Sequence, residues 1–472
     1  MRKTIKYLPN ADTDMVHTFE AFLRFLDPEV RWRGRTYRFD VELQKAEPLV
    51  LGSDLGDIAD LVIDNGSHHW LPFFRNWAQS AVHSGVQFLN NGNTYRRLDK
   101  HACYDLLARA LDPRDRLPTT VLLPEYQAYT ADLEAEEAWR QEQTVIAEQT
   151  AYGHDPERAK TDWDAVRRTL TSRHRWQSRE HQMRIDHYPS HDYLKDVVER
   201  VFGERFPLWL KPAIGFGGTD VSRIDSLDDL YRRFDRSRGA FLLQEGVTDY
   251  AMYLRCMAMG PQVLPIRFLP EEPHHLHYDD ELPTLDAALE ARLRGYVRFI
   301  NAYHRWNHNS FEAVIQGDSL LPVDFTNACP TSTFLALRVH FPWLLCALVR
   351  WSTFVVVAEV DLAIDTEIAA TIAMLRDPER SAVQKIEACD ALAHRYFRID
   401  EFHEFCRQNW RDLPQQWLRF MDENGTSMVE SLIRASDFPA HEHDRFIAEY
   451  TTALERTVRA RPERYLEAGV YS

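Results

Sequence analysis

Between residues 206 and 223 the chain reads FPLWLKPAIGFGGTDVSR, a run that restricts the fold more than any other. Leu208, Trp209 and Leu210 make a short apolar strand, and Pro212 stops it. Gly215, Gly217 and Gly218 then permit backbone angles closed to other residues, so a tight connection leads into a second strand over residues 220–224. A loop of this kind can turn its N–H groups toward phosphate oxygens with no side chain in the way, and Lys211 adds a positive charge beside them. The lysine precedes the glycines and a strand follows them, so neither a G-x-x-x-x-G-K-[ST] loop nor a strand–GxGxxG–helix unit is present. The plainer reading is a glycine hairpin with a surface lysine, and only the rest of the chain decides between the two.

The chain has 472 residues, 44% of them hydrophobic, enough for about three domains. Its 56 basic residues face 72 acidic ones, a net charge of −16, which argues against nonspecific nucleic-acid binding. Six scattered cysteines with no C-x-x-C pair suit reduced core thiols and a cytoplasmic location better than disulfides or a metal set. The N-terminus lacks an apolar core followed by small residues, so no leader is expected. Residues 334–363 are the most apolar stretch, but Arg338, Arg350 and Glu359 interrupt it, and a buried helix is expected there rather than a membrane span.

Apolar spacing predicts a helix over residues 13–26, then strands at 59–64 and 86–89 around a helix at 70–82, a parallel α/β layer. His68 and His69 fall in the turn between strand and helix, as solvated loop residues or as substrate contacts. A helix over 95–111 and a strand over 117–124 follow, and residues 125–187 read as charged helices with a solvated face. Next come a helix at 227–234 and strands at 241–245, 250–259 and 262–268, the last two parted by Gly260-Pro261. A helix over 284–306 precedes a hairpin of residues 311–315 and 320–325, turning at Gln316-Gly317-Asp318. Beyond residue 330 the pattern is helical, including 334–363, 383–394 and 446–460. The expected division is 1–112, 113–248, 249–335 and 336–472.

The second hairpin carries Glu312 on one strand and Asp324 and Asn327 at the exit of the other. Folded about Gly317, residues 312 and 324 approach opposite positions, so two carboxylates and an amide oxygen converge. Oxygen ligands of that kind suit magnesium, which takes one or two carboxylates and leaves its other positions to water and phosphates.

Taken in order, these features resemble the ATP-grasp superfamily of carboxylate–amine ligases, over residues 55–330. The family's first domain ends in a glycine-preceded strand, an asparagine and a helix opening on Asp-Lys, similar to Gly85, Asn90 and Asp99-Lys100 here. Its lysine and glycine loop resemble residues 207–218, and its adenine hinge resembles LLQEGV at 242–247. The resemblance implies an α/β (α+β) fold: a parallel N-terminal domain, two ATP-grasp subdomains with antiparallel sheets, and a helical extension. It implies ATP and magnesium as cofactors, with Lys100, Lys211 and the glycine loop on the phosphates. Gln244, Glu245 and Val247 would lie at the adenine, Asp249 at the ribose, and Glu312, Asp324 and Asn327 at the metal. The implied partners are a small carboxylic acid and an amine, amino acids or a peptide among them, with neither nucleic acid nor membrane, and with a homodimer as one assembly. An acyl phosphate attacked by the amine would release ADP and phosphate.

Two departures stand out. The family's metal motif ends Glu-x-Asn, whereas Asp324-Phe325-Thr326-Asn327 has a shorter acid and one extra residue, which puts Asn327 in doubt as a direct ligand. Where many of these ligases carry an arginine two residues before the first acid, this chain has Ser310, and Arg255 and Arg267 are the expected substitutes, Arg267 on the developing oxyanion. A phosphotransferase of the same fold and a scaffold with a decayed site are the rival functions. The loop PEEPHHLHYDDE, with His274, His275, His277, Asp279 and Asp280, invites a zinc reading, but loop histidines lack a fixed scaffold and a mobile loop on the substrate side is expected.

Overall fold

The structure, a computed structural model, describes residues 1–8, 13–64, 72–90, 99–124, 191–213, 221–235, 240–362 and 368–471. The expected helices of 125–187, His68, His69, Gly215, Gly217 and Gly218 lie outside the described residues. Contacts divide the chain into two compact units, Met1–Leu117 with Thr248–Ser472, and Pro118–Val247, where the sequence suggested four segments.

The first unit opens with strand β1 (Arg2–Leu8), helix α1 (Thr13–Leu26), strands β2 (Val30–Trp32), β3 (Arg35–Leu43) and β4 (Leu61–Asp64), helix α2 (Pro72–His83), strand β5 (Gln87–Leu89) and helix α3 (Lys100–Ala108). The second holds strand β6 (Thr120–Leu123), helix α4 (His191–Val197), strands β7 (Leu208–Pro212) and β8 (Ser222–Ile224), helix α5 (Leu227–Phe234) and strand β9 (Phe241–Glu245). The chain then returns to the first unit with strands β10 (Met252–Met259) and β11 (Gln262–Arg267), helix α6 (Ala287–His304), and strands β12 (His308–Gln316) and β13 (Ser319–Ala328). Helices α7 (Phe334–Leu337), α8 (Phe341–Ala358), α9 (Ile368–Arg376), α10 (Ala382–Phe397), α11 (Ile399–Asn409), α12 (Leu413–Arg434) and α13 (His443–Leu454) follow.

Three sheets result: β2-β3-β1-β4-β5, β11-β10-β12-β13 and β6-β9-β7-β8. In the first, β3, β1, β4 and β5 are parallel, as α1 and α2 require by returning the chain to the same edge, and β2 pairs antiparallel at the margin. The other two are wholly antiparallel. The mixed α/β class with one parallel and two antiparallel sheets is therefore as expected. Strands β1–β3 were not anticipated, because their outward positions carry Arg and Lys and mask the alternation of buried Ile5, Tyr7, Tyr37 and Val41.

Every residue of α8 is buried, which explains why residues 336–472 belong to the first unit. Phe334–Ala358 is long and apolar enough to cross a membrane by composition, and its apolar surface is spent inside the fold instead. The β10–β11 turn sits on this helix. Gly260 there has φ +57°, and a Cβ would lie 2.3 Å from the Trp351 ring, so only glycine meets both demands.

One buried side chain joins the parallel sheet to the antiparallel one. Asn90, at φ 56° just beyond β5, accepts from the N–H groups of Asn307 (2.6 Å) and His308 (2.8 Å). Its Nδ2 donates to the His308 carbonyl at 2.6 Å and lies 3.0 Å from Cys329 Sγ. Asn90→Ala removes all of these and leaves a non-glycine residue in the left-handed region without the asparagine's local advantage. Urea unfolding should show a loss of roughly 3 kcal/mol with an unchanged m-value.

Candidate functional site

In the second unit, Leu208 and Leu210 of β7 point into a core with Phe234, Phe241 and Leu243, which turns Trp209 and Lys211 to the other face. The Lys211 ammonium, largely buried, donates to Gln244 Oε1 at 2.7 Å, and Gln244 Nε2 donates to Thr120 Oγ1 at 3.0 Å. A polar chain thus crosses β7, β9 and β6 and fixes the lysine. Beyond β9, Thr119 N–H donates to the Glu245 carboxylate at 3.0 Å and Gly246 N–H to the Pro207 carbonyl at 3.0 Å. A Cβ on Gly246 would stand 2.2 Å from that carbonyl oxygen, so the hinge admits glycine alone. Val247 forms no backbone hydrogen bond among the described residues, leaving its N–H and C=O for another partner.

In the first unit the β12–β13 hairpin turns at Gly317, φ 59°. Its register, Ala313 opposite Pro322, is broken twice further along, so that Glu312 stands opposite Asp324 and Ser310 opposite Asn327. Each break gives β13 one more residue than β12, the signature of a β-bulge. The first brings the two acids level; a regular continuation would have set Glu312 against Val323. The second absorbs the extra residue of Asp-x-x-Asn. Asp324 and Asn327 therefore face β12 residues two apart, as an acid and an amide in an ordinary Glu-x-Asn strand would, so the extra residue is taken up in the backbone register.

Each acid holds a cation and a phenol. Lys100, at the start of α3, forms a short ion pair with Asp324 Oδ2, and the Tyr104 hydroxyl one turn on lies 3.0 Å from the Val323 carbonyl and 3.3 Å from Asp324 Oδ1. Tyr253 donates to Glu312 Oε2 at 2.5 Å, and Arg255 Nε lies 3.5 Å from Glu312 Oε1. Burial, then the nearby carboxylates, raise both phenols well above their usual range, so they remain donors. Neither Tyr104 nor Tyr253 was foreseen. Tyr104 was discoverable as the residue one helical turn after Lys100, but Tyr253 follows only from strand register.

Arg255 Nη2 also reaches Ser310 Oγ at 3.4 Å, so a guanidinium from β10 occupies the neighbourhood of the position two before Glu312. Its Nε is buried with no hydrogen bond, and the rings of Phe268 and Tyr278 lie 5.6 and 5.9 Å from its guanidinium carbon. Arg267 is elsewhere: half-exposed and 3.7 Å from Asp279. Asp249, exposed, offers its carbonyl to Gln316 Nε2 at 2.8 Å. Glu312 and Asp324 fit magnesium in donor chemistry, being two carboxylates on adjacent strands at paired register and only partly exposed.

The histidine loop is tied to the C-terminal helices at several points. His275 stacks edge-on against Phe438 and Phe446, Arg338 and Arg456 reach Asp280, Tyr465 donates to the Asp280 carbonyl at 2.8 Å, and Arg464 to that of Leu282 at 2.9 Å. All these anchors are 50 or more residues away in sequence. Among the described residues no group of three or more His, Cys, Asp or Glu is placed to hold a metal ion.

No family model matches the sequence, and no curated protein matches it. Solved ATP-grasp structures do. A RimK domain ATP-grasp protein from Sphaerobacter thermophilus is 13% identical, with TM-score 0.40, over 69% of this chain and 91% of that one. The D-alanine–D-alanine ligase of Bacillus anthracis, complexed with ATP, is 10% identical, with TM-score 0.37, over 84% and 98%. The ligase PsnB, complexed with a minimal precursor, is 14% identical, with TM-score 0.38, over 70% and 91%. With TM-scores below 0.5 these pairings add nothing about residues or chemistry; the mixed α/β class is set by the chain's own three sheets.

Burial of two imidazoles near this unit's hairpin makes the fold sensitive to acid. His308, first residue of β12, is pushed down to about 3, and His340, whose Nε2–H donates to the Asp279 carbonyl at 2.7 Å, to about 4, both by loss of solvent. The rings are neutral in the fold, while the unfolded chain protonates near pH 6.5. Stability is therefore complete above about 6.5 and falls as pH drops toward the folded values, by about 2 kcal/mol per ring at pH 5. Urea midpoints at pH 7.5 and 5 measure this, and His340→Asn should flatten the slope by about one proton.

Proposed function

We propose that this chain is an ATP-grasp ligase that joins a carboxylic acid to an amine, releasing ADP and phosphate. The observation that carries the reading is the doubly bulged hairpin, which sets Glu312 opposite Asp324 and Asn327 opposite Ser310, with Lys100 and Arg255 as the accompanying cations. Two acids and two cations give a charge-balanced cluster ready to exchange partners with a metal and an anionic substrate. Arg255, whose Nε lies 3.5 Å from Glu312 Oε1 without a formal hydrogen bond, supports a carboxylate as that substrate, since a buried guanidinium that is only loosely engaged can also bind an incoming oxyanion.

Lys211, ordered by Gln244, supports the phosphate-binding assignment, and Val247 supports an adenine edge read by backbone groups. The glycine loop of residues 214–218 belongs to the same proposal by sequence alone. Magnesium, held by Glu312, Asp324 and Asn327, would neutralise charge on the outer phosphates of ATP. A carboxylate oxygen of the acid takes the terminal phosphoryl group and the bond to ADP breaks; the amine then attacks the acyl carbon, loses a proton, and phosphate leaves. Arg255 orients the acid by a charge-assisted pair, and Tyr253 and Tyr104 hold Glu312 and Asp324 in place. Amino acids or a peptide are the proposed substrates, and a cytoplasmic location is proposed with them.

Calorimetry of ATP binding with and without magnesium tests the assignment. Lys211→Ala should weaken binding by about 2 kcal/mol through loss of a charge-assisted contact. Glu312→Ala and Asp324→Ala should abolish the magnesium dependence without altering the fold. Asn327→Ala should do comparable damage because the bulge restores its register; an unaffected Asn327→Ala protein would remove that residue from the metal, and undiminished affinity in Lys211→Ala would remove the phosphate site from β7.

A further inference from the structure

Amide formation needs a proton acceptor that the hairpin does not supply. The attacking nitrogen has to shed a proton as its lone pair joins the acyl carbon. Around the hairpin, Lys100 and Arg255 are cations, and the Tyr104 and Tyr253 phenols stay protonated. Glu312 and Asp324 are committed to magnesium in the ligase reading. Histidine is the side chain suited to the task near neutral pH. His304, His308 and His340 are sealed in the core, the last two with Nε2 engaged by Ser332 Oγ at 3.2 Å and by the Asp279 carbonyl at 2.7 Å. His275 stands edge-on against Phe438 and Phe446. His277, half-buried, is placed differently.

Backbone pairing sets its position. Leu269 N–H donates to the His277 carbonyl at 2.7 Å, Phe268 and Tyr278 form a bridge, and Asp279 N–H donates to the Arg267 carbonyl at 3.0 Å, so residues 277–279 run antiparallel beside the end of β11. Phe268 is the common neighbour. Its ring centre lies 5.6 Å from the Arg255 guanidinium carbon and 5.2 Å from the His277 ring centre, and the Tyr278 ring, one residue on, lies 5.9 Å from the same guanidinium. Arg255 and the imidazole therefore stand at most about 11 Å apart. A carboxylate on Arg255 puts the acyl carbon about 4 Å from the guanidinium carbon, the amine nitrogen about 3 Å further and a base about 3 Å beyond it. The span fits. We propose that His277 is the general base of the amide-forming step, an assignment that rests on the ligase reading. Its imidazole takes a proton from the amine nitrogen as the N–C bond forms; the C–O bond to phosphate breaks, phosphate leaves with that electron pair, and the imidazolium passes the proton to water. Burial, then the charge of His274, lowers the imidazole's pKa below its usual value, with Arg255 and His275 acting the same way and the facing Glu272 backbone opposing them. The ring is therefore neutral at pH 7 and ready to accept a proton.

Two nucleophiles, hydroxylamine and methylamine, separate this proposal from the reading beneath it. Each is supplied to the native protein, His277→Gln and His277→Ala with ATP, magnesium and whichever acid of an amino-acid and peptide panel yields a hydroxamate. Hydroxylamine is largely unprotonated at pH 7 and needs little help from a base, so hydroxamate formation should stay within about threefold of native in both variants. Methylamine needs a base. Its amide should form about a hundredfold more slowly in both variants, chiefly through kcat, and the native fall in rate at acid pH should be absent from them. Added imidazole should restore the methylamine reaction of His277→Ala. Equal loss with both nucleophiles, an undiminished methylamine rate, an unrescued His277→Ala protein, or a native protein that forms the hydroxamate but no methylamide would overturn the role of His277 and leave the ligase reading intact. No hydroxamate from the native protein with any acid would sink the ligase reading and this proposal together.

Discussion

The register of one hairpin governs the site. Had β12 and β13 continued regularly from Gly317, Glu312 would oppose Val323 and the two acids would fall on different levels of the sheet. The paired bulges bring Glu312 opposite Asp324 and, in the same stroke, place Asn327 opposite Ser310. A bulge leaves a ladder position unpaired and survives only where neighbouring structure fixes it. Here the Tyr104 hydroxyl beside the Val323 carbonyl at 3.0 Å braces the first bulge from α3, and Arg255 and Tyr253 brace Glu312 from β10.

What holds the hairpin in turn is the apolar mass beneath it. Helix α8, buried along its full length, supports the β10–β11 turn through Trp351 and Gly260, and Trp351 Nε1 donates to Asn307 Oδ1 at 3.1 Å beside the Asn90 hub. The same C-terminal helices fasten the histidine loop through Arg338, Arg456 and Tyr465. Residues 336–472 thus act as the foundation of the sheet that carries the acids, with no separate body of their own.

Much of this was legible beforehand because strong local signals coincide with tertiary demands. The turn at Gly317-Asp318, the helix over Thr13–Leu26 and the strands around Gly260 follow from glycine chemistry and apolar spacing. Glu312 and Asp324 were identifiable as a pair, but the bulges that make them one were not, since a two-residue shift in pairing leaves no mark on composition. Strands β1–β3 escaped because lysines and arginines line their outer face. The phenols of Tyr104 and Tyr253, and the anchoring of the histidine loop, depend on partners far along the chain that no local pattern reveals.

The central claim is that the hairpin acids and cations serve carboxylate activation by ATP. Its most direct measurement incubates the protein with ATP, magnesium, a panel of amino acids and short peptides, and hydroxylamine as the trapping amine. The account predicts a hydroxamate of one acid together with equal amounts of ADP and phosphate. AMP with pyrophosphate, or a stable phosphoester with no hydroxamate, would contradict it.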